Sequence, residues 1–204
     1  MTEDRRAHWE RVYTTKQDTE VSWFEGTPEV SLTLLIAAGL TPDMAVIDIG
    51  GGTSRLVDAL LAQDQQHVSV LDLSSAALSA ARTRLNDPAN ASWIVSDITK
   101  WKPDRVYDLW HDRAAVHFLT DPADQQTYAD ILHSALPPGG RAVIGTFAPD
   151  GPEKCSGLPV ARYDAATLAT VLGPRFALLA EQSEEHTTPW GSVQKFQFST
   201  FERR

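Results

Sequence analysis

Three groups of residues in this 204-residue chain have types and spacings suited to chemistry. The first is Val46-Ile-Asp-Ile-Gly-Gly-Gly-Thr-Ser54, a β-branched run that passes into three glycines. Glycine lets a backbone pass close to a ligand where a Cβ would collide. A helix starting just beyond offers N–H groups without intrahelical partners. The second group is two carboxylates, Asp72 and Asp97, each closing a short apolar run. An acid at the end of a second strand accepts both hydroxyls of an adenosine ribose, and a short acceptor one strand further on reaches an adenine amino group. Each acid alone could be a helix cap or turn residue; together with the glycine loop they make three ligand-type positions at successive strand ends, which favours an adenosine-containing ligand.

The third group is His111-Asp112-Arg113, followed by His117 and Phe118. Histidine takes a proton near neutral pH, and arginine pairs with a carboxylate on a substrate. His111, Asp112 and Arg113 are therefore the candidate catalytic residues. His111 would accept a proton or hydrogen-bond the substrate, and Arg113 would orient an anionic part of it. His117, Cys155 and Arg162 are candidate substrate contacts. The plainer alternatives are an Asp–Arg pair bracing a loop, a packed His117 and a bystander thiol. No metal site is expected, because the spacing of His111, Asp112 and His117 is not that of a helical zinc pair.

Other nucleotide chemistries lack parts that they need. Gly50 and Gly52 are followed by Arg55 where a G-x-G-x-x-G fingerprint requires its third glycine. Four residues after Tyr13, Tyr107, Tyr128 and Tyr163 stand Gln17, His111, Leu132 and Thr167, so the Tyr/Lys pair of short-chain dehydrogenases is missing. No G-x-x-x-x-G-K-[ST] loop exists for a nucleoside triphosphate.

The elements that must position these groups alternate. Strand-like runs occupy 45–49, 68–73, 92–95, 107–110 and 142–147, and helix-like stretches occupy 55–63, 75–85 and 123–136. This pattern predicts a doubly wound α/β fold, a parallel sheet covered on both faces. Asp121 before Pro122 starts a helix that Pro137-Pro138-Gly139-Gly140 ends. Asp164 caps another that stops at Gly173-Pro174. Two further runs, 176–181 and 195–201, have no helix between them and predict an antiparallel hairpin at the sheet edge. Residues 1–41, with Trp9, Tyr13, Trp23 and Phe24 and a helix over 28–40, are expected to form a helical flap over the domain at 42–204.

Composition narrows the partners. The net charge of -9 disfavours a nucleic-acid partner held through phosphates. No apolar run approaches the roughly 20 residues of a membrane-spanning helix, and the polar opening MTEDRRAHWERVYTTKQ does not resemble a secretory signal. A cytoplasmic protein with no membrane partner is expected. One cysteine, Cys155, rules out an intrachain disulfide or a Cys-rich zinc site.

The motifs in order resemble those of class I S-adenosylmethionine-dependent methyltransferases. Asp48-Ile-Gly-Gly-Gly-Thr-Ser54 is similar to their first motif, Leu71-Asp72-Leu73-Ser74 to the ribose-binding second and Ser96-Asp97-Ile98 to the adenine-binding third. Leu136-Pro-Pro-Gly-Gly140 resembles the turn before their fifth strand. The resemblance spans about residues 42–204. It implies a seven-stranded, mostly parallel, Rossmann-like sheet with an antiparallel last strand. It also implies S-adenosyl-L-methionine as cofactor, with S-adenosyl-L-homocysteine as product. By it, Asp48 orders the loop, Gly50 and Gly52 face the methionine moiety, and Asp72, Leu73, Asp97 and Ile98 hold the adenosine. Gly51 replaces a frequent Cys, a departure expected to be harmless.

His8-Trp9-Glu10-Arg11-Val12-Tyr13 and Val21-Ser-Trp-Phe24 resemble the opening of the lysine methyltransferases acting on citrate synthase or elongation factor 1A. The opening also resembles some small-molecule methyltransferases. The lysine group usually has Asp-Lys-Gly where this chain has Asp112-Arg113-Ala114. Trp9, Tyr13 and Trp23 would close over the sulfonium, or anchor the flap, or both. The family's DNA amino-methyltransferase signature is absent after the fourth strand, and arsenite chemistry would need more cysteines. The expected activity is methyl transfer to O, N or S of a small organic acceptor. Protein lysine is the alternative, and a non-catalytic cofactor-binding scaffold or sensor is the rival from another class.

Overall fold

The structure, a computed structural model, describes residues 2–204. Its chain opens with α1 (Thr2–Thr15) and α2 (Glu29–Ala37). Strands and helices then alternate: β1 (Ala45–Ile49), α3 (Leu56–Ala62), β2 (His67–Asp72), α4 (Ser75–Arg84), β3 (Ala91–Val95) and β4 (Leu109–Arg113). After these come α5 (Pro122–Ala135), β5 (Arg141–Phe147), the two-residue pair β6 (Lys154–Cys155) and β7 (Leu158–Pro159), and α6 (Ala165–Leu172). The hairpin β8 (Phe176–Thr187) and β9 (Val193–Arg203) completes the fold.

The sheet has seven strands in the order β3-β2-β1-β4-β5-β9-β8. Pairing is parallel from β3 through β5, while β9 runs antiparallel to both β5 and β8. This is the expected Rossmann-like methyltransferase architecture. Every residue of β1 is buried, as a central strand covered on both faces requires. Its alternation divides the core. Ile47 and Ile49 pack on one face with Trp110, Tyr128 and Leu132. Val46 packs on the other with Leu35, Leu60, Val70, Leu109 and Phe147.

Local signals fix the helix boundaries. Ser74 and Asp121 accept backbone N–H bonds at the starts of α4 and α5, and Asp164 forms a capping box on α6. Gly173, with φ of 77°, closes α6.

Two boundaries depart from the sequence reading. β4 spans 109–113 rather than 107–110, so His111, Asp112 and Arg113 belong to the strand itself. Their polarity disguised it: a central strand usually reads as an apolar run, and here the polar His111 and Asp112 are held in it by partners of their own, Asp48 for the one and Tyr128 and the Ala115 and Val116 N–H groups for the other. The terminal hairpin is also longer than its apolar runs, since its polar residues face solvent along β8. Among the described residues, no helix is long and apolar enough to cross a membrane.

Candidate active site

The site lies at the carboxyl ends of β1, β2, β3 and β4, where open α/β sheets bind ligands. Here β1 runs into Gly50, whose φ is +66°, and a Cβ there would come within 2.7 Å of the Ala115 Cβ. At Gly51 a Cβ would stand 2.5 Å from Val70 Cγ1 and 2.6 Å from Asp48 Oδ2. A side chain at this position would force Val70 or Asp48 to shift, so the loop packs closely around its glycine. At Gly52 a Cβ would meet the Tyr13 hydroxyl at 2.6 Å. The flap is thus laid directly on the loop.

A cavity of about 100 Å³, partly open to solvent, runs along this edge. Gly50, Asp72, Leu73, Asp97 and Ile98 line it from the sheet, Trp9, Tyr13 and Trp23 from the flap, and Arg113 and Cys155 from the far end. Asp72 is buried and accepts the Ser74 N–H at 2.7 Å. Burial pushes its carboxyl up to about 7, against the pull of backbone hydrogen bonds from Ser74 and Gly52. Asp97 accepts from the Thr99 N–H and hydroxyl through Oδ1, while its buried Oδ2 has no partner. Asp97 is therefore a turn-forming residue and an open acceptor at once.

Four aromatic rings form the roof. Trp9 lies 5.6 Å from Trp23 and 5.1 Å from Phe118, and Tyr13 lies 6.2 Å from Trp23, measured between ring centroids. Glu10 fastens α1 to the start of α4, accepting from the Ser74 and Ser75 hydroxyls at 2.7 and 2.8 Å and from the Ala76 N–H at 3.2 Å. The flap is tied to the helix whose N-cap follows Asp72.

A second chamber adjoins the first beneath the glycine loop, lined by Asp48, His111, Arg113, Trp23 and Glu25 among others. Asp48 and His111 are register partners on β1 and β4, and Asp48 Oδ1 lies 2.7 Å from His111 Nδ1. His111 Nε2 is buried without a partner.

Strand parity separates the three residues of the candidate catalytic cluster. His111 and Arg113 share a face of β4, and Asp112 points to the opposite one. Asp112 is fully buried there and accepts from the Ala115 and Val116 N–H groups and the Tyr128 hydroxyl. The expectation of a catalytic Asp112 is corrected: it braces the turn after β4.

Two substrate-contact expectations are corrected as well. His117 is fully buried, stacks edge-on against Phe118 at 4.5 Å and accepts weakly from the Phe147 N–H at 3.5 Å. Burial, aided by the Arg113 charge, pushes its pKa down to about 3, so it is a neutral packing residue. Arg162 is turned outward, donating to the Gly151 carbonyl and pairing with Glu153. Cys155 does line the cavity, as a neutral thiol that burial pushes up to about 12.

Sequence reasoning missed Ala114 and Arg5 in the cavity wall and Glu25 in the second chamber, and gave Phe118 no role. Ala114 adopts φ of +67°, which glycine tolerates better. A glycine is usual at this place in the lysine-methyltransferase segment, and that was the available signal.

A family described as "Methyltransferase domain" matches residues 46–140, just under half of the chain. Nodulation protein S of Rhizobium tropici is 28% identical over 113 residues, which are 55% of this chain and 47% of that protein. The chain thus spans about half the length of this curated relative. Two solved structures show the same fold. N-methyltransferase NodS of Bradyrhizobium japonicum, solved with S-adenosyl-L-homocysteine, superposes with a TM-score of 0.73 at 17% identity, covering 95% of this chain and 97% of that one. A SAM-dependent methyltransferase of Anabaena variabilis gives 0.78 at 14% identity, covering 100% and 95%.

Proposed function

We propose that this protein transfers a methyl group from S-adenosyl-L-methionine to an O, N or S atom of a small organic acceptor. The observation that carries the reading is the pair of acceptors, Asp72 and the unpartnered Asp97 Oδ2, facing one cavity beside a glycine loop where added side chains would collide with their neighbours. These groups fit an adenosine: Asp72 for the ribose hydroxyls, Asp97 for the adenine amino group, Leu73 and Ile98 for the ring faces. The similarity to the methyltransferase domain family supports the same cofactor.

When bound, S-adenosylmethionine supplies an electrophilic methyl on a positively charged sulfur. The chain's own contribution is enclosure and positioning. Trp9, Tyr13, Trp23 and Phe118 exclude water and present aromatic faces that favour a cation. His111 offers Nε2 as proton acceptor for the acceptor's nucleophile, held in orientation by Asp48 through Nδ1. The aromatic roof and the enclosed second chamber favour a small molecule over a lysine on a protein surface. The protein is read as soluble and cytoplasmic, with neither membrane nor nucleic acid as partner.

Two measurements test this reading. Isothermal titration should detect S-adenosyl-L-homocysteine binding that Asp72→Ala weakens; absence of binding sinks the proposal. With a methyl-labelled donor, label should enter the metabolite fraction of a host extract. Label found only on a protein lysine would transfer the reading to protein methylation. Binding without any label transfer would leave a scaffold or sensor.

A further inference from the structure

Arg113 ends β4 as a buried cation whose donors are largely unfilled. Its side chain is 10% exposed and borders both the aromatic cavity and the chamber under the glycine loop. Nη1 donates to the Trp23 carbonyl at 3.2 Å. Glu25 Oε1 stands 3.2 Å from Nη2, close enough for an ion pair, yet not aligned as a hydrogen bond. Nε and Nη2 therefore lack an aligned acceptor. The guanidinium carbon sits 4.5 Å from the Phe196 ring centre, which fixes the plane and supplies no acceptor. A planar fork of N–H donors, buried and half-filled beside a cavity, is the arrangement that recognises a carboxylate in bidentate fashion.

We propose that Arg113 is the docking cation for an acidic acceptor, a small molecule bearing a carboxylate, and that Glu25 holds its place until the acceptor arrives. This deepens the methyl-transfer reading above and rests on it only for what happens after docking. Glu25 belongs to the flap, so the incoming carboxylate replaces a contact between flap and sheet. The surroundings can absorb the displaced Glu25. His186 Nδ1 lies 3.7 Å from its Oε1, and the Glu184 carboxyl lies beside it. Burial raises the Glu184 pKa, with Arg113 opposing and Glu25 adding to the rise. Burial also lowers the His186 pKa, Arg113 reinforcing it. His117 and Cys155, which also sense the Arg113 charge, are neutral near pH 7, and His111 and Asp48 share the chamber with Arg113. Apart from Glu25 and Glu184, then, no carboxylate among the described residues is found pairing with this guanidinium.

The test uses acetate as the minimal carboxylate and acetamide as its neutral counterpart. The ¹⁵N-labelled full chain is titrated with each, at ionic strength held constant with sodium chloride. The Arg113 Nε–Hε resonance is identified by its loss in Arg113→Lys. Acetate should shift it saturably and acetamide should not. Glu25→Gln, which removes the competing charge, should tighten apparent acetate binding at least threefold. Equal responses to both probes, no response to acetate, or an acetate affinity unchanged in a folded Glu25→Gln would each overturn the proposal. Should Glu25→Gln fail to fold, the wild-type comparison of acetate with acetamide decides alone. Titration of S-adenosyl-L-homocysteine into the same sample separates the two readings. Acetate binding without it keeps the anion site and removes the methyl-donor reading; the reverse result removes the anion site.

Discussion

Asp48 and His111 face each other across adjacent parallel strands, with Oδ1 and Nδ1 separated by 2.7 Å in a buried setting. A carboxylate only accepts, so in the neutral imidazole the proton sits on Nδ1 and the lone pair on Nε2. Asp48→Asn breaks this logic, because an amide can donate to Nδ1 and drive the proton to Nε2. Methyl transfer should then fall by about 10²-fold or more, in the range of a lost general base with its tautomer reversed. The ¹⁵N resonances of His111 should report the tautomer change. An unchanged tautomer in a folded Asp48→Asn would remove the pair from the mechanism. The melting temperature must accompany both measurements, because Asp48 Oδ2 is also buried beside the glycine loop without a hydrogen-bond partner.

Asp72 should give the proposed cofactor site its pH dependence. Burial raises its folded pKa to about 7 from the ordinary 3.8. The folded state therefore holds more protons than the unfolded one between about pH 4 and pH 7, and the group's contribution to stability declines as pH rises through that window. Ribose hydroxyls favour the ionised form, so ligand binding has the opposite sense. The affinity for S-adenosyl-L-homocysteine should increase roughly tenfold from pH 6 to pH 8 and level off above it. Calorimetry across that range checks the slope, and Asp72→Asn should bind weakly with the slope abolished.

The parts of this molecule that were legible in the sequence are those where one residue type has one physical use. Gly50-Gly51-Gly52, the caps Asp121 and Asp164 and the mostly apolar run 45–49 all mark their places through local backbone preferences. Asp72 and Asp97 stood out as acids at successive strand ends, and both line the cavity, although Asp97 also does the turn-forming work that such a residue can do. The cluster at 111–113 was only half legible. Its three polar residues gave no sign that a strand contained them, and parity within that strand decided that His111 and Arg113 would face the chamber and Asp112 would not. Glu25 carried no local signal at all. Its importance comes from Arg113 and His186, distant in sequence and joined to it only by the folding of the flap.

Glu10 should control how firmly the flap closes. Its carboxylate satisfies two hydroxyls and a backbone N–H at the start of α4, and hydrogen bonding from Ser74 lowers its pKa. The stabilisation is complete above its ordinary pKa of 4.5 and is lost as pH falls through the lower folded value. Glu10→Gln should cost about 1 kcal/mol, the size of a helix cap, or about 2–4 °C in melting temperature. S-adenosyl-L-homocysteine should also leave faster, read by stopped-flow tryptophan fluorescence through Trp9 and Trp23. An unchanged release rate would show that Glu10 does not hold the flap.

Asp112 provides the sharpest separation between a structural and a catalytic carboxylate. Three donors converge on it in the core: the Ala115 N–H at 2.8 Å, the Val116 N–H at 3.1 Å and the Tyr128 hydroxyl at 2.8 Å. The Trp110 indole donates in turn to the Tyr128 oxygen, extending the network to a second buried ring. Removing the carboxylate strands these donors away from water, at about 1–3 kcal/mol for each unsatisfied group before relaxation. Asp112→Ala should therefore destabilise the protein by about 3–5 kcal/mol, the scale for breaking a buried charged network. Asp112→Asn should cost less, since one amide oxygen still accepts. Thermal denaturation should rank wild type above Asp112→Asn above Asp112→Ala, with folded Asp112→Asn still binding S-adenosyl-L-homocysteine. If Asp112→Asn kept full stability while methyl transfer disappeared, the carboxylate would belong to the chemistry after all, and its assignment to the core would be wrong.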